Sequence, residues 1–220
     1  MKKLNLVIMK NGKIKAEGSA ERSKKLYDRI YRHRPHGVDP MSDDLYGTET
    51  IRLKWLVKWI LNSIRPGSTC LDVGCGRGYL VRILTWLGYP CDGTEVSQHL
   101  METDLHDIPV RYLACEELHH VDSNSYDIVV CSDVLEHLES EDIVRTTIAH
   151  LARISRCWVI TSVGLRSAPK FPAMLKLHGV KDLHPVLKPA RWWRKEMSGV
   201  SEIIDERQGR SAFFFCKVKG

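Results

Sequence analysis

The chain has 220 residues and a formal net charge of +6, with 43% hydrophobic and 27% charged residues. This size is typical of one domain with a substantial core, and the composition argues against wholesale disorder. We expect no membrane-spanning helix, because no run of about 18 apolar residues occurs, and the chain start lacks the features of a secretion signal. The basic residues are spread along the chain, which favours a solvated surface over a nucleic-acid interface.

The seven cysteines are scattered and include no C-x-x-C pair. Most lie in apolar stretches where a thiol behaves as a small hydrophobic side chain, which favours a reducing, cytoplasmic location. The ten histidines do not have the spacing of a zinc site, since the adjacent His119 and His120 have no companion at ligand spacing. We therefore expect no metal.

Residues 1–48 are predicted to form an N-terminal helical extension. One segment places Leu26, Tyr27, Ile30 and Tyr31 at helical spacing, which predicts a short amphipathic helix, and residues 36–47 are predicted to form a loop. Tyr27 and Tyr31 are candidates for a lid that covers a ligand and contacts the substrate. The alternative is ordinary packing.

A second helix is predicted at the start of a domain that comprises residues 49–220. Thr48 or Thr50 is the predicted N-cap, and the Pro-Gly pair after Arg65 is the predicted stop. The residues on its apolar face are Ile51, Trp55, Leu56, Trp59, Ile60 and Ile64.

From residue 68 onward, strand-like and helix-like segments alternate. A strand that ends at Val73, a helix that Gly88 terminates and a strand that ends near Val96 form one β-α-β unit. The pattern continues to a final pair of strands joined by a turn. The predicted fold is α/β: a Rossmann-like, mostly parallel seven-stranded sheet with helices on both faces and an antiparallel C-terminal hairpin.

Three glycines, Gly74, Gly76 and Gly78, lie where the first strand of this sheet turns into a helix. Ligands of open parallel sheets bind beyond the carboxyl ends of the strands, at such a turn. Glycine permits a tight reversal and lets a ligand approach the main chain. The spacing is G-x-G-x-G, whereas dinucleotide-binding proteins have G-x-G-x-x-G. Asp72 would repel a pyrophosphate, but it suits a ligand with an amino group and a sulfonium cation.

This pattern resembles the class I S-adenosylmethionine (SAM)-dependent methyltransferases, and the similarity extends from about residue 50 to residue 163. The resemblance implies that SAM is the cofactor and that Glu95 binds its two ribose hydroxyls, as a carboxylate can. Ala114 stands where the family usually has an Asp that contacts adenine. The implied cofactor-binding residues are Asp72, Gly74, Cys75, Gly76, Gly78, Glu95, Cys115, Glu116 and Ser132.

The segment "CSDVLEHL" resembles the ubiquinone-biosynthesis-like, small-molecule branch of that family. The resemblance implies that Asp133, Glu136 and His137 lie along the methionine end of the cofactor and the acceptor pocket. A hydroxyl acceptor benefits from a general base with a pKa near neutrality, and His137 and Asp133 are the catalytic candidates. The alternative for each is a role in bracing the loop.

Residues 164–199 form a long connection before the C-terminal hairpin, and long connections are usually functional. We expect this segment to be an acceptor-side insertion in which His184 and Trp192 contact the substrate. The alternative is that Trp192 and its neighbour Trp193 anchor a C-terminal helix by packing.

The favoured function is transfer of a methyl group to a hydroxyl or amine of a small molecule, sugar or glycan. One alternative is a nucleic-acid or protein methyltransferase, which the lack of an N/D-P-P-Y motif disfavours. Another is a nucleotide-binding Rossmann protein that is not a methyltransferase, which the glycine spacing and Asp72 disfavour. We expect a small-molecule or glycan partner and no nucleic acid, and the sequence leaves the acceptor and oligomeric state open.

Overall fold

The computed structural model describes residues 6–8, 14–16, 18–32, 43–165 and 183–219. The strands are β1 (Leu6–Ile8), β2 (Ile14–Ala16), β3 (Cys70–Val73), β4 (Cys91–Glu95), β5 (Val110–Tyr112), β6 (Tyr126–Ser132), β7 (Ser155–Gly164), β8 (Ser201–Gln208) and β9 (Ser211–Val218). The helices are α1 (Ser19–Arg32), α2 (Asp43–Ser63), α3 (Tyr79–Trp86), α4 (Gln98–Thr103), α5 (Glu141–Ile154) and α6 (Ala190–Val200). Short 3-10 helices span Cys115–His120 and Leu135–His137.

The main sheet has seven strands in the order β5-β4-β3-β6-β7-β9-β8. The pairs among β3 to β7 are parallel, whereas β9 runs antiparallel to both β7 and β8. From β3 the strand order runs outward in one direction through β4 and β5, and then in the other direction through β6 and β7. The position between β3 and β6 is therefore the switch point, where open α/β sheets bind ligands. The predicted fold, including its antiparallel C-terminal hairpin, is confirmed.

The sheet separates two hydrophobic clusters, one on each face. Phe214 and Phe215 are neighbours on β9 and almost fully buried, yet they belong to different clusters because successive side chains of a strand point to opposite faces. All four residues of β3 are buried. This strand is therefore covered on both faces, and only its carboxyl end is available for a ligand.

Helix α2 differs from the prediction in two respects. It begins at Asp43, so Thr48 and Thr50 are inside the helix and are not its N-cap, and the predicted domain boundary at residue 48 lies within it. Gly47 was interpreted as part of a loop, but a single glycine lowers helix propensity by only about 1 kcal/mol, which neighbouring turns can offset. Trp55 is 39% exposed and lies outside the buried stripe of Leu56, Ile60 and Ile64.

The N-terminal part also contains a small antiparallel sheet of β1 and β2, which the sequence did not predict. All seven cysteines, which lie between residues 70 and 216, are free thiols, and five of them are buried. The predicted behaviour of cysteine as an apolar residue is confirmed for these five, while the cytoplasmic location remains a prediction. Among the residues that the structure describes, no helix is both long and apolar enough to cross a membrane.

Candidate active site

The glycine loop leaves β3 through three residues with positive φ angles, +72° at Gly74, +55° at Gly76 and +75° at Gly78. A Cβ atom on Gly74 would lie 2.6 Å from a methyl group of Val134, and one on Gly78 would lie 2.4 Å from a methyl group of Ile108. At these two positions the protein's own packing is enough to require glycine, and the close approach of a ligand there stays a prediction. At Gly76 the Tyr31 hydroxyl, at 3.3 Å, is the one described group that lies in the Cβ direction.

The Glu95 carboxylate lies beneath the glycine loop at the carboxyl end of β4. One of its oxygens accepts a hydrogen bond from the Gly76 N–H at 2.9 Å, and the other accepts from Val96 and Ser97 N–H groups at 2.7 and 2.9 Å. The residue is only 4% exposed. Burial raises the pKa of Glu95 to about 7, although the three backbone hydrogen bonds oppose the shift.

Thr94, which the sequence analysis did not single out, also holds the loop. Its carbonyl oxygen accepts from the Cys75 N–H at 2.9 Å, and its hydroxyl accepts from the Gly74 N–H at 3.3 Å. The Cys75 thiol packs against Gly93, where a Cβ atom would lie 2.8 Å from the sulfur. Burial, with the nearby Asp72 and Glu95, raises the pKa of Cys75, so its thiol is a packing group and not a nucleophile.

The residues predicted to contact adenine lie on the 3-10 helix after β5. Cys115 is buried, and burial raises the pKa of its thiol. Both carboxylate oxygens of Glu116 are shielded from solvent and have no hydrogen-bond partner among the described residues. A shielded polar group without a partner is costly, so Glu116 is suited to a ligand that donates hydrogen bonds.

At the end of β6, Ser132 and Asp133 are joined by Ser162 of β7. The Ser162 hydroxyl donates to an Asp133 carboxylate oxygen at 2.8 Å and lies 2.6 Å from the Ser132 hydroxyl oxygen. Because Ser162 has one proton and donates it to Asp133, it accepts from Ser132. Asp133 has a φ of +53°, which is uncommon for a residue other than glycine and is often found at functional sites.

The structure brings together Tyr27, Glu136, His137 and His184 from three separate parts of the chain. The His137 ring lies edge-on to the rings of Tyr27 and His184, with centroids 5.9 and 4.6 Å away. Its Nδ1 is 2.7 Å from the Leu183 carbonyl oxygen. A carbonyl oxygen only accepts, so Nδ1 carries the proton and Nε2 has a lone pair in the neutral ring.

Helix α1 lies across this region and carries both predicted lid tyrosines. Its Asp28 carboxylate accepts from the His99 N–H at 2.7 Å, at the beginning of α4. Lys24 forms an ion pair with Glu117 at 2.8 Å, next to the predicted adenine contacts. Together with the contacts of Tyr27 and Tyr31, these bonds place α1 over the glycine loop and His137.

The two tryptophans of α6 have different surroundings. Trp193 is fully buried, and its ring N–H donates to the Lys188 carbonyl oxygen at 3.2 Å. Trp192 is half-buried and lies within cation–π distance of Arg145 and Lys188. With these contacts, both tryptophans help to pack α6 against its neighbours. A contact of Trp192 with a substrate is still a prediction from the sequence.

Comparison with known protein families places this site in context. A family described as "Methyltransferase domain" matches residues 51–202, which is more than half of the chain. The chain belongs to this methyltransferase family. The prediction of a class I SAM-dependent methyltransferase is thereby confirmed at the level of the family, and the alternative of an unrelated nucleotide-binding protein is not supported. Helix α1 precedes the matched region.

The methyltransferase is similar to curated proteins named ubiquinone biosynthesis O-methyltransferase. The protein from Paraburkholderia phytofirmans is 36% identical over 101 residues, which are 43% of this chain and 42% of that protein. The protein from Bordetella avium is 30% identical over 143 residues, or 60% and 58% of the two chains. The similarity therefore covers about half the length of these relatives.

Solved structures show the same fold at low sequence identity. Magnesium protoporphyrin IX methyltransferase from Synechocystis PCC 6803, solved with bound SAM, has a TM-score of 0.67 at 18% identity and covers 93% of this chain and 99% of its own. An N-methyltransferase from Bradyrhizobium japonicum WM9, solved with S-adenosylhomocysteine (SAH), has a TM-score of 0.63 at 16% identity and covers 92% and 100%.

Proposed function

We propose that this chain transfers a methyl group from SAM to a hydroxyl oxygen of a small molecule or sugar. The observation that carries the proposal is the fixed ring of His137, whose Nδ1–H donates to the Leu183 carbonyl oxygen at 2.7 Å, so that Nε2 has the basic lone pair of the neutral ring. A base in this position benefits a hydroxyl acceptor, whereas a neutral amine needs none. Similarity to relatives that are named O-methyltransferases also supports an oxygen acceptor.

The residues of the cleft fit SAM. The Glu95 carboxylate suits a vicinal diol, and the shielded Glu116 oxygens suit the donor amine of a nucleobase. Gly76 is the glycine of the loop whose Cβ direction is not filled by core side chains. When bound, the cofactor supplies an electrophilic methyl group on a sulfonium.

The chain's own groups then have three tasks. Ser162 and the backbone hold Asp133 at the end of β6, where its carboxylate is the second candidate base. His137 accepts the hydroxyl proton at Nε2. We propose that α1 is a lid, in which Tyr27 and Tyr31 exclude water from the reaction, because methyl transfer to a neutral nucleophile disperses charge and is favoured in a dry site.

The experiment is transfer of a carbon-13-labelled methyl group from SAM to the small-molecule fraction of a cell extract. We expect one product whose carbon-13 NMR signal is that of an O-methyl group. The variant His137→Ala should lower the rate while it leaves SAH affinity within about threefold, or roughly 0.7 kcal/mol. Label found on nitrogen, or on RNA or protein alone, would contradict the proposal.

A further inference from the structure

Three side chains of the acceptor end, those of Glu136, His137 and His184, have the arrangement of a metal site. One ligand-type atom from each lies within 4.8 Å of the corresponding atoms of the other two. We propose that these three residues bind a divalent transition-metal ion such as Zn²⁺. The proposal departs from the expectation of no metal, because that expectation used spacing along the chain, and His184 is remote from the other two in sequence.

Backbone groups hold two of these side chains in place. Glu136 is 1% exposed, and one of its carboxylate oxygens accepts from the Gly164 N–H at 2.5 Å. The backbone also fixes the neighbouring segments, since the Val186 N–H donates to the Glu136 carbonyl oxygen at 3.2 Å. The Nδ1–H of His137 donates to the Leu183 carbonyl oxygen, so the ring would bind an ion through Nε2. A second hydrogen bond that orients each ligand is typical of metal sites.

The type of ligand decides which ion is bound. Two imidazoles and one carboxylate favour Zn²⁺, Co²⁺ or a similar transition ion, whereas Mg²⁺ and Ca²⁺ prefer sites made of oxygen ligands. Three protein ligands leave at least one coordination position for another molecule, as in catalytic zinc sites. The trio is therefore suited to an ion that also binds a substrate oxygen.

The role of the ion rests on the proposed function, whereas its binding does not. A hydroxyl that is bound to a divalent cation has a lowered pKa and would give up its proton to a neighbouring base more readily. The oxygen–methyl bond then forms as the sulfur–methyl bond breaks, and the sulfonium leaves as a neutral thioether. Without an ion, His137 accepts the proton directly. With an ion bound, Nε2 of His137 is a ligand and the proton passes to Asp133, the second candidate base, so both states lead to the same O-methyl product.

The test is a titration of chelator-treated, dialysed protein with Co²⁺, followed by visible absorption, and with Zn²⁺, followed by calorimetry. We expect one equivalent to bind. The variants Glu136→Gln and His184→Ala should each weaken binding at least tenfold, while SAH affinity stays within threefold of the wild type. Glu136→Gln retains an oxygen that can accept from the Gly164 N–H, and thermal unfolding verifies that each variant is folded.

A matched control is the double variant His119→Ala/His120→Ala. These two exposed imidazoles are 4.0 Å apart between ring centroids and belong to a different part of the surface. Their removal should leave the Co²⁺ spectrum unchanged. Loss of binding in this control but not in Glu136→Gln or His184→Ala would overturn the proposal. Methyl transfer without ion binding would overturn the site alone, and ion binding without methyl transfer would contradict the proposed function alone.

Discussion

The Glu95 carboxyl is buried at the carboxyl end of β4, and its pKa is raised to about 7. A raised pKa means that the folded protein holds the proton more tightly than the unfolded chain, so burial favours the neutral form up to that pH. Below pH 7 the proton occupies an oxygen that would otherwise accept a hydrogen bond from a ribose hydroxyl. Cofactor affinity should therefore decrease as the pH falls.

The expected loss follows from the position of the pKa. One pH unit below it, about a tenth of the carboxyls are ionised, so SAH should bind about tenfold more weakly at pH 6 than at pH 8. Calorimetry at the two pH values measures this ratio. In Glu95→Gln the affinity should be lower at both values and the ratio close to one. An unchanged ratio in this variant would mean that a different group titrates.

Gly76 and Gly88 provide a matched pair of substitutions. Both have positive φ, +55° and +86°, so a valine strains the backbone at either position, but only Gly76 faces the candidate cofactor site. A Cβ atom on Gly88 would lie more than 4 Å from every other described residue except its chain neighbours. We expect Gly76→Val to abolish SAH binding and Gly88→Val to retain it, with a lowered melting temperature in both. Equal binding in the two variants would contradict the close approach of a ligand at Gly76.

Trp192 lies between Arg145 and Lys188 on the α5–α6 side of the molecule. On these contacts, Trp192→Ala should lower the melting temperature and leave the KM for the acceptor unchanged. A raised acceptor KM with an unchanged melting temperature would instead support the prediction from sequence that Trp192 binds the substrate. Steady-state kinetics and thermal unfolding of the same preparation distinguish the two outcomes.

At the scale of elements, α1 depends on a few polar contacts for its position over the site. Burial alone would raise the pKa of the Asp28 carboxyl. Hydrogen bonds from Arg32 and from the His99 N–H have the larger combined effect and lower this pKa. With a lowered pKa, the stabilisation is present above the ordinary pKa of Asp and is lost as the pH falls through the folded value. The lid should thus be docked at neutral pH.

Replacement of Asp28 should loosen the lid. We expect Asp28→Ala to speed amide hydrogen exchange in α1 and to weaken SAH binding by about three- to tenfold, or roughly 0.7 to 1.4 kcal/mol. Glu21→Ala is the control, because Glu21 is an exposed carboxylate on the same helix. If both variants bind SAH as the wild type does, α1 does not cover the cofactor.

Most helices and strands could be predicted because their signals are local. Ser97 and Ser140 accept hydrogen bonds from the first turns of α4 and α5, and the alternation of apolar segments matches the parallel strands. The predicted start of α2 was wrong, because the glycine and acidic residues of its first turns are also typical of loops. Trp55 was predicted on the apolar face of α2 but is exposed, because helical periodicity does not specify which part of that face its neighbours cover.

The candidate site was only partly predictable, because it is made of contacts between remote elements. The loop glycines and Glu95 follow directly from the end of a strand, and the sequence identified them. No spacing rule indicates that Ser162 bonds to Asp133, or that His184 approaches Glu136 across a long connection. The glycine spacing likewise does not reveal that Val134 and Ile108 fill the Cβ directions of Gly74 and Gly78.

In the molecule as a whole, the switch point of the sheet has the chemistry to bind SAM and not a dinucleotide. The Glu95 carboxylate, the shielded Glu116 oxygens and Asp72 all favour a ligand with hydroxyl and amino donors over one with a pyrophosphate. The family match to methyltransferases agrees with this chemistry. This preference for SAM is independent of the acceptor and of any metal ion.

Calorimetric titration of the purified chain with SAH and, separately, with NAD shows which ligand the switch point binds. We expect SAH to bind with a stoichiometry of one and NAD to give no binding heat at the same concentrations. The Gly76→Val variant should lose the SAH signal. Binding of NAD in the absence of SAH binding would mean that the switch point is a dinucleotide site and not a SAM site.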